Sequence, residues 1–150
     1  MEILRVVTLS AIATVAYGQA ISRPEVVQVR AVTDGGAIDV AGYGRIRLAG
    51  IRAPRLARGA EDGEPFWREA RDRLDGIVGH RFVRLEFPPS GSRSSAYVLL
   101  EDGTFVNAVL VGEGLARVSG RQTGGRGEAL ARAQEQAQAA RRGIWGAMRR

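Results

Sequence analysis

Apolar and polar residues alternate with strand periodicity soon after residue 25. Three short runs have strand length and are separated by glycine-containing turns: residues 26–32, 37–40 and 45–50, with turns at 34–36 and 42–44. In the third run, Ile46 and Leu48 share one face of the chain, and Arg45 and Arg47 share the other. The pattern therefore predicts three strands, the last of which has one buried and one charged face.

Three later segments show the apolar spacing of helices. In residues 65–78, apolar residues recur every three to four positions, Pro65 fits the first helical position and Gly79 fits the C-cap. Residues 104–114 begin with Thr104, whose hydroxyl predicts an N-cap. Residues 128–142 are alanine-rich, and their acidic start and basic end match the helix dipole. The loop at 119–127 is predicted to be flexible because it is rich in glycine and polar residues.

The remaining alternating segments complete a small α+β domain. Further strands are predicted at residues 81–87, 96–100 and 115–118. Near the C-terminus, the apolar side chains of Ile144 and Trp145 are expected to pack into the core. A chain of 150 residues has room for one domain, and it contains no internal repeat. About five short strands with three helices predict a β-barrel to which the helices are attached.

The first twenty residues differ in pattern from the rest. Residues 6–16 form an uncharged, mostly apolar run, and Gly18 and Ala20 occupy the −3 and −1 positions of a cleavage site. The run is too short for a membrane span, which needs about 20 apolar residues. This pattern predicts a signal peptide over residues 1–20, a mature domain over 21–150, and a periplasmic or secreted protein. The alternative is a cytosolic N-terminal helix, because Glu2 weakens the basic start that signal peptides have.

Composition narrows the classes of ligand and metal. The net charge is +6, and all 22 basic side chains are arginine. A basic surface of guanidinium groups suits bidentate contacts to phosphate, so the expected partner is a phosphate or another polyanion, unless the charge is only a solvated face. The chain has no cysteine and one histidine, His80, which excludes thiolate and histidine-cluster metal sites. His80 itself is expected at the surface or at a cap.

The order of these motifs resembles the staphylococcal-nuclease-like (thermonuclease) family. The resemblance covers residues 26–146 and is carried by "RIRLAGIRAP" at 45–54, "YVLLEDGTFVNAVLVGEGLARV" at 97–118 and "AARRGIWG" at 139–146. It implies a five-stranded OB-fold barrel with three helices. It also implies a calcium-dependent enzyme that cleaves phosphodiester bonds of DNA and RNA.

The positions that match the family's metal and catalytic residues have lost their carboxylates. The family's Asp-Gly-Asp-Thr turn is Asp34-Gly35-Gly36-Ala37, so Gly36 stands where the family has a calcium aspartate. Arg52 stands at the second calcium aspartate, and Arg55 at the glutamate held to activate water. Calcium needs six to eight oxygen ligands, and magnesium a strict octahedron, so we expect no metal cofactor. Arg55 cannot accept a proton near neutral pH.

The family's phosphate contacts are partly retained. Arg47 and Arg93 match its two phosphate-clamping arginines, and Arg52 is predicted to join them in a metal-free anion site, with Arg55 as a further candidate. Gly91 and Ser119 replace two tyrosines, one of which packs on a bound base in the family, so nucleic acid binding is expected to be weak, backbone-directed and salt-dependent. Alternatively, Arg52 and Arg55 point to solvent or pair with nearby carboxylates.

The sequence thus predicts an exported thermonuclease-like protein, catalytically impaired, that binds a phosphate, a polyanion or a partner through retained arginines. One alternative is an active nuclease with relocated metal ligands, for which the candidate carboxylates are Asp34, Asp39, Glu61, Asp62 and Glu64. Asp34 itself is expected to have a structural role in its turn. A second alternative is an envelope module that binds a protein and has no ligand in its pocket.

Overall fold

The computed structural model describes residues 25–56, 62–89 and 92–147, so the predicted signal peptide lies outside the described residues. The strands and helices follow in this order: β1 (Glu25–Asp34), β2 (Ala37–Val40), β3 (Gly44–Leu48), β4 (Ile51–Arg52), α1 (Trp67–Val78), β5 (Phe82–Glu86), β6 (Ser95–Leu99), α2 (Val106–Gly112), β7 (Arg117–Val118), α3 (Gly124–Ala139) and α4 (Ile144–Ala147). No helix in these ranges has the length and apolar character needed to cross a membrane.

Five strands close into a barrel in the order β1-β2-β3-β6-β5. Strand β1 closes the barrel by pairing with β2 on one side and with β5 on the other. All the pairs are antiparallel except β3 with β6. A separate two-stranded sheet joins β4 to β7. The predicted α+β architecture, a five-stranded OB-fold barrel carrying three helices, is confirmed, and α4 adds a short fourth helix.

The core follows the alternation seen in the sequence. Buried side chains alternate with exposed or half-buried ones on β3 and β5. On β3, Ile46 and Leu48 are buried, whereas Arg45 and Arg47 are exposed. Helix α1 lays its apolar face over the barrel, and α2 and α3 pack against each other beside it. Ile144 is buried at the start of α4, as expected, and Trp145 is half-buried under the Arg117 guanidinium.

The starts of the helices differ from the prediction. Helix α1 begins at Trp67, not at Pro65, because Phe66 takes a left-handed backbone conformation with φ of 71°. Thr104 does not cap α2: its N–H donates to Asp102 Oδ1 (2.9 Å), which places Thr104 in the preceding turn, and α2 begins at Val106. Both corrections arise because a local turn competes with the helix for the same backbone groups.

Helix α3 begins at Gly124, four residues before the predicted start, and it ends at Ala139. Its first turn contains three glycines, which disfavour a helix on propensity alone. Arg126 anchors this turn through two hydrogen bonds to the Glu86 carboxylate on β5 (2.9 and 2.8 Å), and its guanidinium lies 4.8 Å from the Phe105 ring centroid. A contact between residues forty positions apart thus extends the helix into a segment predicted to be flexible.

A buried amide fixes the junction between β3 and β4. Asn107 on α2 is the one polar side chain fully buried among the described residues. Its Oδ1 accepts the Val98 N–H of β6 (3.0 Å), and its Nδ2 donates to the Ala49 carbonyl after β3 (2.8 Å). The amide therefore holds the chain where it turns from the barrel wall into β4.

Replacing Asn107 with Ala should destabilise the protein strongly. The change leaves the Val98 N–H and the Ala49 carbonyl buried without partners, at about 1–3 kcal/mol each. We therefore expect the free energy of unfolding to fall by roughly 2–6 kcal/mol in denaturant titrations. The control is Gln138→Ala on the exposed surface of α3, which should change the free energy of unfolding by about 0.5 kcal/mol or less. A similarly small change for Asn107→Ala would contradict the assigned role.

Candidate anion-binding site

The turn between β1 and β2 uses its carboxylate for structure. Asp34 Oδ1 accepts the Gly36 N–H (2.7 Å), and Asp34 Oδ2 pairs with Arg45 Nη2 on β3 (2.8 Å). Each oxygen of Asp34 thus has a partner that shapes the turn or ties it to the next strand. This is the structural role predicted for Asp34, and it ties the start of β3 to the β1–β2 turn.

An open cleft of about 780 Å³ lies where this turn meets the loop after β4 and the start of α1. Five arginines and two carboxylates line it: Arg45, Arg47, Arg52, Arg55 and Arg71, with Asp34 and Glu64. The cleft therefore carries an excess of positive charge. Three of its arginines have a carboxylate partner, since Arg45 pairs with Asp34, Arg52 with Glu64 and Arg71 with Asp72.

Two arginines of the cleft remain without such a partner. Arg47 stands on the outer face of β3, its backbone fixed by a hydrogen bond from its N–H to the Ser94 carbonyl (2.8 Å). Arg55 follows β4 and Pro54 in the loop toward α1. Both side chains are exposed, and within the described ranges neither guanidinium has a hydrogen bond or an ion pair. These two groups are available to an anion that enters the cleft.

Glu64 closes the loop between β4 and α1. Its Oε1 pairs with Arg52 Nη2 (2.6 Å), and its Oε2 accepts the Arg55 N–H (2.8 Å). The Glu64 N–H in turn donates to the Arg55 carbonyl (2.9 Å). The hydrogen bond from Arg52, followed by the one from the Arg55 N–H, lowers the pKa of the Glu64 carboxyl below its ordinary value. Both oxygens of Glu64 are thus engaged, and the lowered pKa makes the carboxylate a poor proton acceptor.

Calcium does not fit this donor set. Gly36 lies beside Ala53, the residue after Arg52, with the position of its missing Cβ 3.5 Å from Ala53 Cβ. Neither position 36 nor position 52 carries a carboxylate, since one is glycine and the other is arginine. Asp34 and Glu64 already have partners, and no cluster of three acidic or histidine side chains occurs within the described residues. One unit charge pair at about 4 Å is worth roughly 4 kcal/mol at an effective dielectric of 20, so a guanidinium in place of a carboxylate turns an attraction of that size into a repulsion.

The three predicted phosphate-binding arginines are not all brought together. Arg47 and Arg52 line the cleft, whereas Arg93, in the loop before β6, does not. The Arg93 guanidinium lies 5.5 Å from the Phe87 ring centroid and 3.5 Å from the Tyr43 hydroxyl, with Glu25 at 3.9 Å. The loop therefore directs Arg93 toward the turn between β2 and β3.

Two other carboxylates weighed as metal ligands, Asp39 and Asp62, do not line the cleft. Asp39 pairs across the sheet with Arg45 in the β2–β3 register, and exposed Asp62 is not among the residues lining the cleft. Glu61 and Gly91 lie outside the described residues. The Ser119 N–H donates to the Gly50 carbonyl (2.9 Å), which places Ser119 directly after the β4–β7 sheet.

Sequence reasoning missed the three charged or aromatic lining residues Arg45, Trp67 and Arg71. A signal for each was present, because Arg45 shares the polar face of β3 with Arg47, and Trp67 and Arg71 are four residues apart on one helix face. That these faces meet depends on how α1 packs on the barrel. The helical spacing alone does not say which neighbour each face has.

Comparison with known proteins identifies the family. Residues 45–147 match the family model described as staphylococcal nuclease homologue. The matched range begins with Arg45 and includes Arg47, Arg52, Arg55 and Glu64, so most of the cleft lies within it. No curated protein matches the chain.

Acid should loosen the loop that Glu64 closes. Because the folded protein lowers the pKa of Glu64, the stabilisation is complete above the ordinary value of 4.5 and is lost as the pH falls through the lower folded value. Amide hydrogen exchange at the Arg55 and Glu64 N–H groups should then lose protection in acid. Amide protection in Glu64→Gln should be reduced at every pH. The free energy of unfolding should fall by roughly 1 kcal/mol or less, because the Arg52–Glu64 pair is partly exposed. Protection in Glu64→Gln equal to that of the wild type would exclude this role of the carboxylate.

Proposed function

Because the chain belongs to the family of staphylococcal nuclease homologues, we propose that it is a catalytically impaired member that binds a phosphate or polyanion in the arginine cleft. The observation that carries the proposal is the loss of acidic groups at the three positions matching the family's metal and base residues, two of which carry a guanidinium group instead. Gly36, Arg52 and Arg55 stand there, and the surrounding cleft holds five arginines. Guanidinium groups neutralise phosphate charge and hydrogen-bond its oxygens, but they do not supply a base.

The arginines of the cleft differ in how available they are to a ligand. Arg47 and Arg55 have no carboxylate partner in the described part of the chain, so they bind an incoming phosphate without breaking an existing pair. Arg52 is already paired with the carboxylate of Glu64, which also lines the cleft. A ligand phosphate that approaches Arg52 therefore competes with Glu64. The excess positive charge also attracts polyanions from a distance, and salt weakens this effect.

The proposal includes export. The apolar run over residues 6–16 and the small residues Gly18 and Ala20 support cleavage of a signal peptide after residue 20. N-terminal sequencing of the natural protein tests this, with Ile21 as the expected first residue.

Binding to a polyanion should depend on Arg47 and on salt. With heparin or oligothymidylate as the probe and chelator present, Arg47→Ala should weaken binding about tenfold or more, because one charge-assisted hydrogen bond to phosphate is lost. Glu64→Gln should strengthen binding, since it removes a negative charge and releases Arg52. The affinity, measured by fluorescence anisotropy or calorimetry, should fall linearly with the logarithm of salt concentration.

The matched control for this experiment is Arg132→Ala on α3. Arg132 is exposed and does not line the cleft, so the same change in net charge should alter the affinity by less than about twofold. Equal effects of Arg47→Ala and Arg132→Ala would contradict the cleft as the binding site. Absence of binding to either probe by the wild type would instead favour an envelope module whose barrel has no anionic ligand.

The wild-type protein should not cleave single-stranded DNA in the presence of calcium. A positioned base contributes about 10²–10⁴-fold, and the metal contribution is lost with it. The positive control restores all three carboxylates, as Gly36→Asp, Arg52→Asp and Arg55→Glu in one variant. Gly36 tolerates the change, since it has no positive φ and its added Cβ meets no atom closer than 3.5 Å. We expect calcium binding and chelator-sensitive cleavage in this variant alone, and the same cleavage by the wild type would refute impairment.

A further inference from the structure

A smaller pocket of about 250 Å³, which we call the apolar pocket, adjoins the arginine cleft and shares Arg52, Pro54 and Glu64 with it. Five of its described lining residues are apolar: Pro54, Pro65, Phe66, Ile144 and Ala147. They come from the loop between β4 and α1 and from α4, two segments that lie far apart in the chain. Walls of this kind favour a ligand with an apolar body, because the pocket removes that body from water.

Two guanidinium groups belong to the wall of the apolar pocket. Arg52 of β4 and Arg117 of β7 stand directly opposite each other in the antiparallel register, and both line the pocket. Side chains of such a pair leave the sheet on the same face, where like charges repel. Glu64 offsets part of this charge through its ion pair with Arg52, but both of its oxygens are already engaged. The described lining therefore carries more positive than negative charge, which favours an anionic group on the ligand.

The backbone of Phe66 adopts a sparsely populated conformation beside the pocket. Its φ of 71° and ψ of 9° lie in the left-handed region, which is unfavourable for residues other than glycine. Hydrogen bonds on both sides fix this conformation, because the Trp67 N–H donates to the Glu64 carbonyl (3.1 Å) and the Ala70 N–H donates to the Phe66 carbonyl (2.9 Å). Phe66 thus forms a wall of the pocket that a ligand does not have to order.

We propose that the apolar pocket binds a small carboxylic acid whose apolar body has about the size of one ring, with its carboxylate between Arg52 and Arg117. The volume sets the size of the ligand: an apolar cavity of about 150 Å³ holds benzene, so 250 Å³ has room for a ring with a short acidic side chain. The carboxylate relieves the repulsion between the two opposed guanidinium groups and accepts charge-assisted hydrogen bonds from them. This inference goes beyond the proposed function, because it concerns a different pocket and a ligand with a single charge.

The experiment uses four small probes in NMR titrations of the full chain: phenylacetate, phenylacetamide, phenethylamine and acetate. Phenylacetate should shift the amide resonances of Phe66, Ile144 and Trp145 to saturation. Phenylacetamide has the same ring without the charge, so it should bind about tenfold or more weakly, because the charge-assisted hydrogen bond is lost. Acetate has the charge without the ring, so it should also bind about tenfold or more weakly. Phenethylamine carries the opposite charge and should cause no saturable shift.

Three variants locate the bound acid. Arg117→Gln should weaken phenylacetate binding about tenfold and leave phenylacetamide binding unchanged, because the guanidinium contacts only the carboxylate. The unchanged affinity for phenylacetamide also shows that the pocket of this variant is still folded. The matched control is Arg132→Gln on the exposed surface of α3, which should change the affinity for phenylacetate by less than about twofold. Arg47→Ala should have a similarly small effect, since Arg47 lines the cleft and not the apolar pocket.

The absence of a saturable shift with phenylacetate overturns the proposal, as does an equal affinity for phenylacetate and either acetate or phenylacetamide. Loss of phenylacetate binding in Arg47→Ala but not in Arg117→Gln places the acid in the arginine cleft and also overturns it. The peptide Gly-Gly-Phe ends in the same ring and carboxylate, and tighter binding of this peptide than of phenylacetate would assign the pocket to a chain terminus instead of a free acid. These measurements use no polyanion, so their failure leaves the proposed function of the cleft standing.

Discussion

The side chain of Asn107 determines where the cleft lies relative to the barrel. Its two hydrogen bonds join the Val98 N–H of β6 to the Ala49 carbonyl, so the chain leaves β3 along a fixed direction. Gly50 follows with φ of 74°, and a Cβ there would lie 2.8 Å from Leu130 Cδ1, so both conformation and space require glycine. Arg52 comes two residues later, so the direction in which the chain leaves β3 sets where Arg52 lies. The buried amide thus links the packing of α2 to the geometry of the site.

Ion pairs inside the cleft then divide its arginines into two groups. Arg45, Arg52 and Arg71 are held by Asp34, Glu64 and Asp72, which fixes their guanidinium groups before any ligand arrives. Within the described residues the guanidinium groups of Arg47 and Arg55 make no hydrogen bond or ion pair, although the charge of Arg55 also acts on Glu64. Glu64 contributes twice, because it closes the loop at Arg55 and pairs with Arg52. The described cleft holds more guanidinium groups than carboxylates, which favours anions over cations electrostatically.

Glycine or arginine stands where the resemblance to the family places carboxylates, while the five-stranded barrel is retained. Gly36 lies beside Ala53, the residue after Arg52, so the β1–β2 turn and the end of β4 are neighbours. Guanidinium groups held by ion pairs are suited to binding phosphate. Under the proposed function, the same scaffold supports recognition without the groups that catalysis requires.

The sequence by itself determined the barrel, its order of strands and helices, and the outward direction of Arg47, because alternation and turn composition depend on residues close along the chain. It also showed which carboxylates were absent. It did not determine that α3 begins at Gly124, that Glu64 among five candidate carboxylates takes Arg52, that Arg93 turns away to Phe87, or that Trp67 enters the cleft. Each of these depends on contacts between residues distant in the chain or on the packing of α1 against the barrel. Long side chains such as arginine reach several partners, and only the tertiary structure decides which partner lies within reach.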